Sequence, residues 1–135
     1  MTIRLSELKN LIKQIADENI VEKQFIVKNH KFELLINNKL VTESKFNIEP
    51  KDEFFNEKYV SIYELKTLEQ FRKKGYAKML LEEIFNYVKN TLKLNIISLI
   101  VDKNNYKAVN LYFNVGFKIF IEYKDSYSLI KIIKS

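Results

Sequence analysis

The sequence predicts an α+β domain, with a mixed, mostly antiparallel central sheet and helices on both faces. Three observations predict it. Short apolar runs separated by asparagine-rich breaks fill 24–48, the pattern of an antiparallel meander. A strand, a helix and a second apolar strand then succeed one another over 59–101, which implies a parallel pair joined by a crossover. Last, two strands flank Lys124-Asp125-Ser126 and close the chain as a hairpin.

Each element has its own signal. Leu5, Leu8, Leu11, Ile12 and Ile15 recur at helical spacing, with Ser6 placed to cap the start and the helix ending between Asp17 and Asn19. Extended pieces follow at 25–27, 32–36 and 40–48, broken by Asn29-His30 and Asn37-Asn38. Pro50, the one proline, opens a polar and acidic connection over 49–58. The stretch 59–67 alternates as a strand does. Ala77, Leu80, Leu81, Ile84, Phe85 and Val88 form one face of a helix over 76–90. The run 94–101 is nearly continuous in apolar residues and predicts a strand covered on both faces. Ala108, Leu111, Tyr112 and Val115 line a short helix, after which Gly116 stands where a left-handed terminator belongs. Strands over 117–123 and 127–134 complete the chain.

Composition excludes several chemistries. At 135 residues the chain reads as one domain, 1–135, large enough for a core. Without cysteine it has no disulfide, thiolate metal site or cysteine nucleophile, and the lone His30 makes no metal cluster, so no metal is expected. No apolar run is long enough to span a bilayer, and the first six residues lack the apolar stretch of a signal peptide. A cytoplasmic protein without a membrane partner is the expectation. The net charge of +6 suits a nucleic-acid or anionic partner, but a lysine-rich coding bias explains it equally simply. Where the charge clusters is therefore more informative than its sum.

It clusters at a strand–turn–helix. Arg72, Lys73, Lys74 and Lys78 surround Gly75, one of only two glycines in a chain where ordinary usage is about 7%. A helix start carries unpaired N–H groups and partial positive charge, and it binds phosphate where the backbone is approachable. Gly75 permits that approach, and the small Ala77 leaves the first turn uncrowded. The ordinary alternative is a solvated basic loop capping a helix. A P-loop or dinucleotide fingerprint is excluded, since both need clustered glycines.

The segment downstream discriminates. Arg72-x-x-Gly75-x-Ala77, followed by Val101-x-x-x-Asn105-x-x-Ala108-x-x-Leu111-Tyr112-x-x-x-Gly116-Phe117, resembles the double motif of the GNAT superfamily of acyl-CoA-dependent N-acyltransferases. The resemblance covers about 59–120 and implies that fold, including a splayed parallel strand pair. It divides the chain into a variable acceptor-side part (1–58), an acyl-CoA-binding core (59–120) and a C-terminal strand (121–135). It implies acetyl-CoA or a related acyl-CoA as donor and an amine as acceptor. The pyrophosphate would lie on Arg72, Lys73, Lys74, Gly75, Tyr76, Ala77 and Lys78. The pantetheine arm would add to the strand backbone at Leu65, Lys66 and Thr67, and Asn105 would lie near it.

The resemblance also gives Tyr112 the role of general acid toward the departing thiolate; its ordinary reading is a core aromatic. Asn105 reads equally as a helix N-cap. Some family members carry a glutamate on the strand before the cradle, at a position that falls near Ser61 here. Glu64 lies on the same strand but faces the other way by alternation, and serves as base only if a bulge re-aims it. Glu53, Glu57 and a water chain are the other options, and His30 reads as an exposed turn residue. Only one helix is visible before 59, which predicts a shallow acceptor site or one completed by a partner in a homodimer. Two further functions stay open: a non-catalytic acyl-CoA-binding module, and a small RNA-binding domain, which the core-periodic placement of most aromatics disfavours.

Overall fold

The computed structural model describes residues 4–19 and 22–133, so the expectations for residues 1–3 and for Lys134 lie outside the described residues, as does the side chain of Ile15. The first helix, α1, spans Leu5–Asn19. Ser6 falls inside its first turn, not at its cap. Leu5, Leu8, Leu11 and Ile12 are all exposed, so this apolar stripe adds nothing to the described core.

The strands are β1 (Lys23–Lys28), β2 (Lys31–Ile36), β3 (Lys39–Glu49), β4 (Tyr59–Thr67), β5 (Ile96–Asp102), β6 (Lys118–Glu122) and β7 (Ser126–Ile132). They form one sheet in the order β1-β2-β3-β4-β5-β7-β6, antiparallel throughout except for β4 and β5. The asparagine pairs explain the meander's tight turns. Asn29 and His30, then Asn37 and Asn38, all take φ between 51 and 67°. Two consecutive left-handed residues make the hairpin turn whose twist matches the strands, and asparagine tolerates that region better than most side chains.

Helix α2 (Tyr76–Tyr87) continues into a π-helical turn at Val88–Leu92, which Lys93 ends at φ 59°. Leu80, Leu81, Ile84 and Val88 are completely buried, in one cluster with Phe32, Leu34, Val60 and Ile97 of the sheet. Phe32 lies at its centre, stacked on Phe46 at 4.0 Å and edge-on to Tyr87 at 5.7 Å. Helix α3 (Tyr106–Asn114) adds Val109 and Tyr112 to the same cluster. The strand predicted over 94–101 is corrected in one respect: it is not covered on both faces. Ile97, Leu99 and Val101 are buried, whereas Ile100 between them is 69% exposed. The other face of β5 is open because a cleft lies there.

Candidate active site

The site begins where the sheet stops being continuous. Strands β4 and β5 pair only through Val60 with Ile97 and Ser61 with Ser98. Beyond Ser61 the strands separate, and the rest of β4 has no strand partner on that side. On its other side β4 pairs with β3, but with a register break: Lys45 is opposite Tyr63 and Glu43 opposite Lys66. Ser44 of β3 thus runs against both Glu64 and Leu65 of β4, so β4 carries a bulge there, and Glu64 has φ 52°. Two buried hydroxyls of β3 fasten it. Ser44 Oγ donates to the Tyr63 carbonyl at 3.0 Å, and Thr42 Oγ1 donates to the Lys66 carbonyl at 3.0 Å.

After β4 the chain makes a 3-10 turn at Glu69–Phe71 and enters α2 through Lys73 (φ 64°) and Gly75 (φ 79°). Gly75 is the N-cap, with no side-chain cap and no acidic residue in the first turn. The N–H groups at this helix start are thus left without a protein carboxylate. A Cβ on Gly75 would meet nothing within 4 Å, so glycine is required by backbone conformation, and the space before the helix is open. Lys73, Lys74 and Lys78 are exposed around it. The Arg72 side chain folds back, its Nε donating to the Thr67 carbonyl at 3.1 Å. Thr67 Oγ1 in turn donates to Thr42 Oγ1 at 3.2 Å, tying the end of β4 to β3.

The next helix places the remaining motif residues. Asn105 caps α3, its Oδ1 accepting from the Ala108 N–H at 3.3 Å. At the far end, the Gly116 N–H donates to the Phe113 carbonyl at 3.1 Å and the Phe117 N–H to the Tyr112 carbonyl at 2.9 Å. Those two bonds, with Gly116 at φ 101°, are a Schellman terminator. It also fixes Tyr112, whose ring meets the Phe117 ring edge-on at 5.5 Å. Burial alone pushes the Tyr112 phenol up to about 12. No charged group offsets that cost, so the phenol keeps its proton at neutral pH.

On the sheet face opposite the core, the gap between β4 and β5 opens into a cleft of about 310 Å³. Its floor holds Ser61, Ser98 and Ser128 from β4, β5 and β7. The connection 50–58 supplies a wall, held by a single carboxylate. Asp52 accepts from the Phe54 and Phe55 N–H groups at 2.8 and 3.1 Å and from the Tyr59 hydroxyl at 2.6 Å. The Tyr59 hydrogen bond holds the Asp52 carboxyl below its usual range, while burial and that same bond push Tyr59 up to about 12. Phe55 stacks on Phe120 at 5.0 Å and meets Tyr59 edge-on at 4.7 Å.

Glu64, the candidate base, is not among the residues that line the cleft. The bulge that this role would require exists, but Glu64 is exposed and pairs with Lys45 at 2.6 Å. The Lys45 hydrogen bond and charge lower its pKa, which makes it a poorer proton acceptor. The cleft's carboxylate is Glu49 on β3, whose Oε1 accepts from Ser61 Oγ at 2.8 Å. Of the other acids considered, Glu57 accepts from Asn95 Nδ2 at 3.1 Å. Sequence reasoning missed Glu49 and the aromatic wall. The one signal for the wall was Asp52 two residues before Phe54, the spacing of an Asx turn.

The arrangement defines a class: a β-sheet splayed at a bulged strand, with an uncapped helix start on one side of the opening and a cleft on the other, as in acyl-CoA N-acyltransferases. A family model described as "Putative acetyl-transferase" matches residues 5–127, and the chain belongs to that family, within the GNAT superfamily. Solved structures agree on the fold. The N-acetyltransferase PseH of Campylobacter jejuni, in complex with acetyl coenzyme A, is 23% identical with TM-score 0.63, covering 96% of this chain and 79% of that one. The spermidine N-acetyltransferase of Vibrio cholerae, in complex with CoA and spermine, is 22% identical with TM-score 0.61, covering 98% and 77%. NAA60 of Arabidopsis thaliana, in complex with acetyl-CoA, is 19% identical with TM-score 0.62, covering 97% and 96%. No curated protein matches the chain by sequence at a significant level. Among the described residues, no helix is long and apolar enough to cross a membrane, and no group of acidic or histidine side chains is arranged to hold a metal.

Proposed function

We propose that the protein is an N-acetyltransferase that moves an acetyl group from acetyl-CoA to a primary amine by direct attack. The observation that carries this reading is the opening of β4 from β5 beyond Ser61, with the uncapped start of α2 on one side and the serine-floored cleft on the other. The α2 start suits the pyrophosphate: Gly75, Tyr76, Ala77 and Lys78 offer N–H groups, and Lys73 and Lys74 add charge. Arg72 closes the turn through Thr67. The free edge of β4 at Leu65, Lys66 and Thr67 suits the amide-bearing arm, which would add as a short strand. Asn105 acts as the cap that sets the start of α3.

In the reaction the amine nitrogen forms a C–N bond, the C–S bond breaks, one proton leaves nitrogen and one reaches sulfur. The Leu65 N–H at the bulge is suited to donate to the carbonyl oxygen as charge develops there. Tyr112 is suited to meet the sulfur. An ordinary thiol has a pKa of about 8.5. Complete transfer from a phenol near 12 would therefore be uphill, and Tyr112 acts chiefly by donating a hydrogen bond to sulfur as the bond breaks.

The test is direct. Acetyl-CoA should raise the melting temperature, and amines should release free thiol. Gly75→Glu should abolish the shift, because it forces a side chain into φ 79° and puts negative charge at the helix start. An undiminished shift in that variant would refute the placement. Thermal stabilisation without thiol release across a broad amine panel would favour the binding-module reading.

A further inference from the structure

We infer that the cleft selects a cationic alkylamine, and that Glu49 is the residue that selects it. This rests on the acetyltransferase reading for the fate of the amine, but not for its binding. The first observation is electrostatic. In a chain of net charge +6, the cleft lining contains, among the described residues, one carboxylate, Glu49, and no lysine, arginine or histidine. The lining's charge is therefore opposite to that of the protein. An anionic acceptor would meet an unscreened carboxylate; a cation would supply the counter-charge the cleft lacks.

The second observation is the character of the walls. Phe54, Phe55, Tyr59, Tyr63, Phe120 and Tyr123 line the same cleft as Glu49. Aromatic faces attract a cation and also cover an apolar stem, so the same walls suit both parts of an alkylammonium. Asp52 does not compete, since its oxygens are taken by Phe54, Phe55 and Tyr59.

The third observation is position. Ser61 Oγ donates to Glu49 Oε1 at 2.8 Å, and Ser61 is the last residue of β4 paired to β5. The carboxylate is thus oriented at the point where the sheet opens, on the side where the amine must arrive. Ser61 is a positioning residue, and its bond occupies Oε1, so Oε2 is the oxygen that would meet the ligand. A cavity of about 310 Å³ is at the small end for a ligand site, which suits one alkylammonium arm.

The probes are pentyltrimethylammonium, a cation that cannot be acetylated, and pentanol, its neutral counterpart, each titrated calorimetrically into the full chain. The wild-type protein should prefer the ammonium by ~10-fold or more. Glu49→Gln should cut the preference ~5-fold, leaving what the aromatic walls supply, while keeping the acetyl-CoA melting shift, and Ser61→Ala should reduce it ~3-fold. Equal binding of the two probes by the wild-type protein overturns the inference, whatever the variants do. So does a preference that is undiminished in folded Glu49→Gln. A cation preference without thiol release would sink the enzyme reading alone, and thiol release without a cation preference would sink this inference alone.

Discussion

The turn before α2 and the aromatic cleft flank the same opening in the sheet, yet they are built in opposite ways. The turn is contiguous in sequence and made of backbone: Gly75 takes φ 79°, the helix start has no side-chain cap, and exposed lysines supply charge without fixed partners. The cleft is assembled from β3, β4, β5, β6, β7 and the connection 50–58, and it is made of side chains whose contacts are specific. A phosphate common to every donor needs only N–H groups and positive charge. An acceptor that varies must be recognised by shape and by one well-placed charge. On the proposed reading, the difference between the two sides is that between a generic ligand and a particular one.

Three substitutions test that division. The largest effect is expected for Tyr112→Phe, which removes the proposed donor toward sulfur: turnover should fall ~100-fold, with the acetyl-CoA melting shift retained. Wild-type turnover in this variant would reduce Tyr112 to a core aromatic. The same residue gives a stability signature. Between pH 10.0 and about 12 the unfolded chain has lost a proton that folded Tyr112 keeps, so the unfolded state binds fewer protons and stability falls as pH rises through that window. Tyr59 adds a loss of the same sign. Tyr112→Phe should flatten the decline measured by denaturant titration without abolishing it.

A smaller effect is expected for Asp52→Ala. Losing its three bonds should free Phe54 and Phe55 and raise the KM for the amine ~5-fold, leaving the acetyl-CoA shift unchanged. A reduced acetyl-CoA shift would show that the two sides are coupled. The smallest effect belongs to Glu64→Gln. It breaks an exposed ion pair with Lys45, worth little in water, and activity should change less than ~2-fold. A loss of activity comparable to that of Tyr112→Phe would restore Glu64 as a base.

How much was legible follows from how far each feature reaches along the chain. The strand at Tyr59–Thr67, the buried face of α2 and the final hairpin are set by periodicity and are found where the sequence predicts them. The bulge that directs β4 was not. It is held by Ser44 and Thr42, which lie 19 and 24 residues from the carbonyls they bind, and nothing near Glu64 encodes it. The exposure of Ile100 was equally hidden, because an apolar run looks the same whether its second face meets a helix or a cleft.

The sequence by itself determined the local conformations. Asparagine pairs made the meander's turns, Asn105 capped α3, and Gly75 and Gly116 took the left-handed positions that bracket the two motif helices. These are decided by sterics and hydrogen bonds within a few residues, which a linear pattern records. Only the tertiary structure decided where β4 leaves β5, that Glu64 pairs with Lys45 outside the cleft, and that Glu49 meets Ser61 within it. Those outcomes depend on register and on side chains brought together across strands, and a strand's register depends on its partners as well as on its own residues.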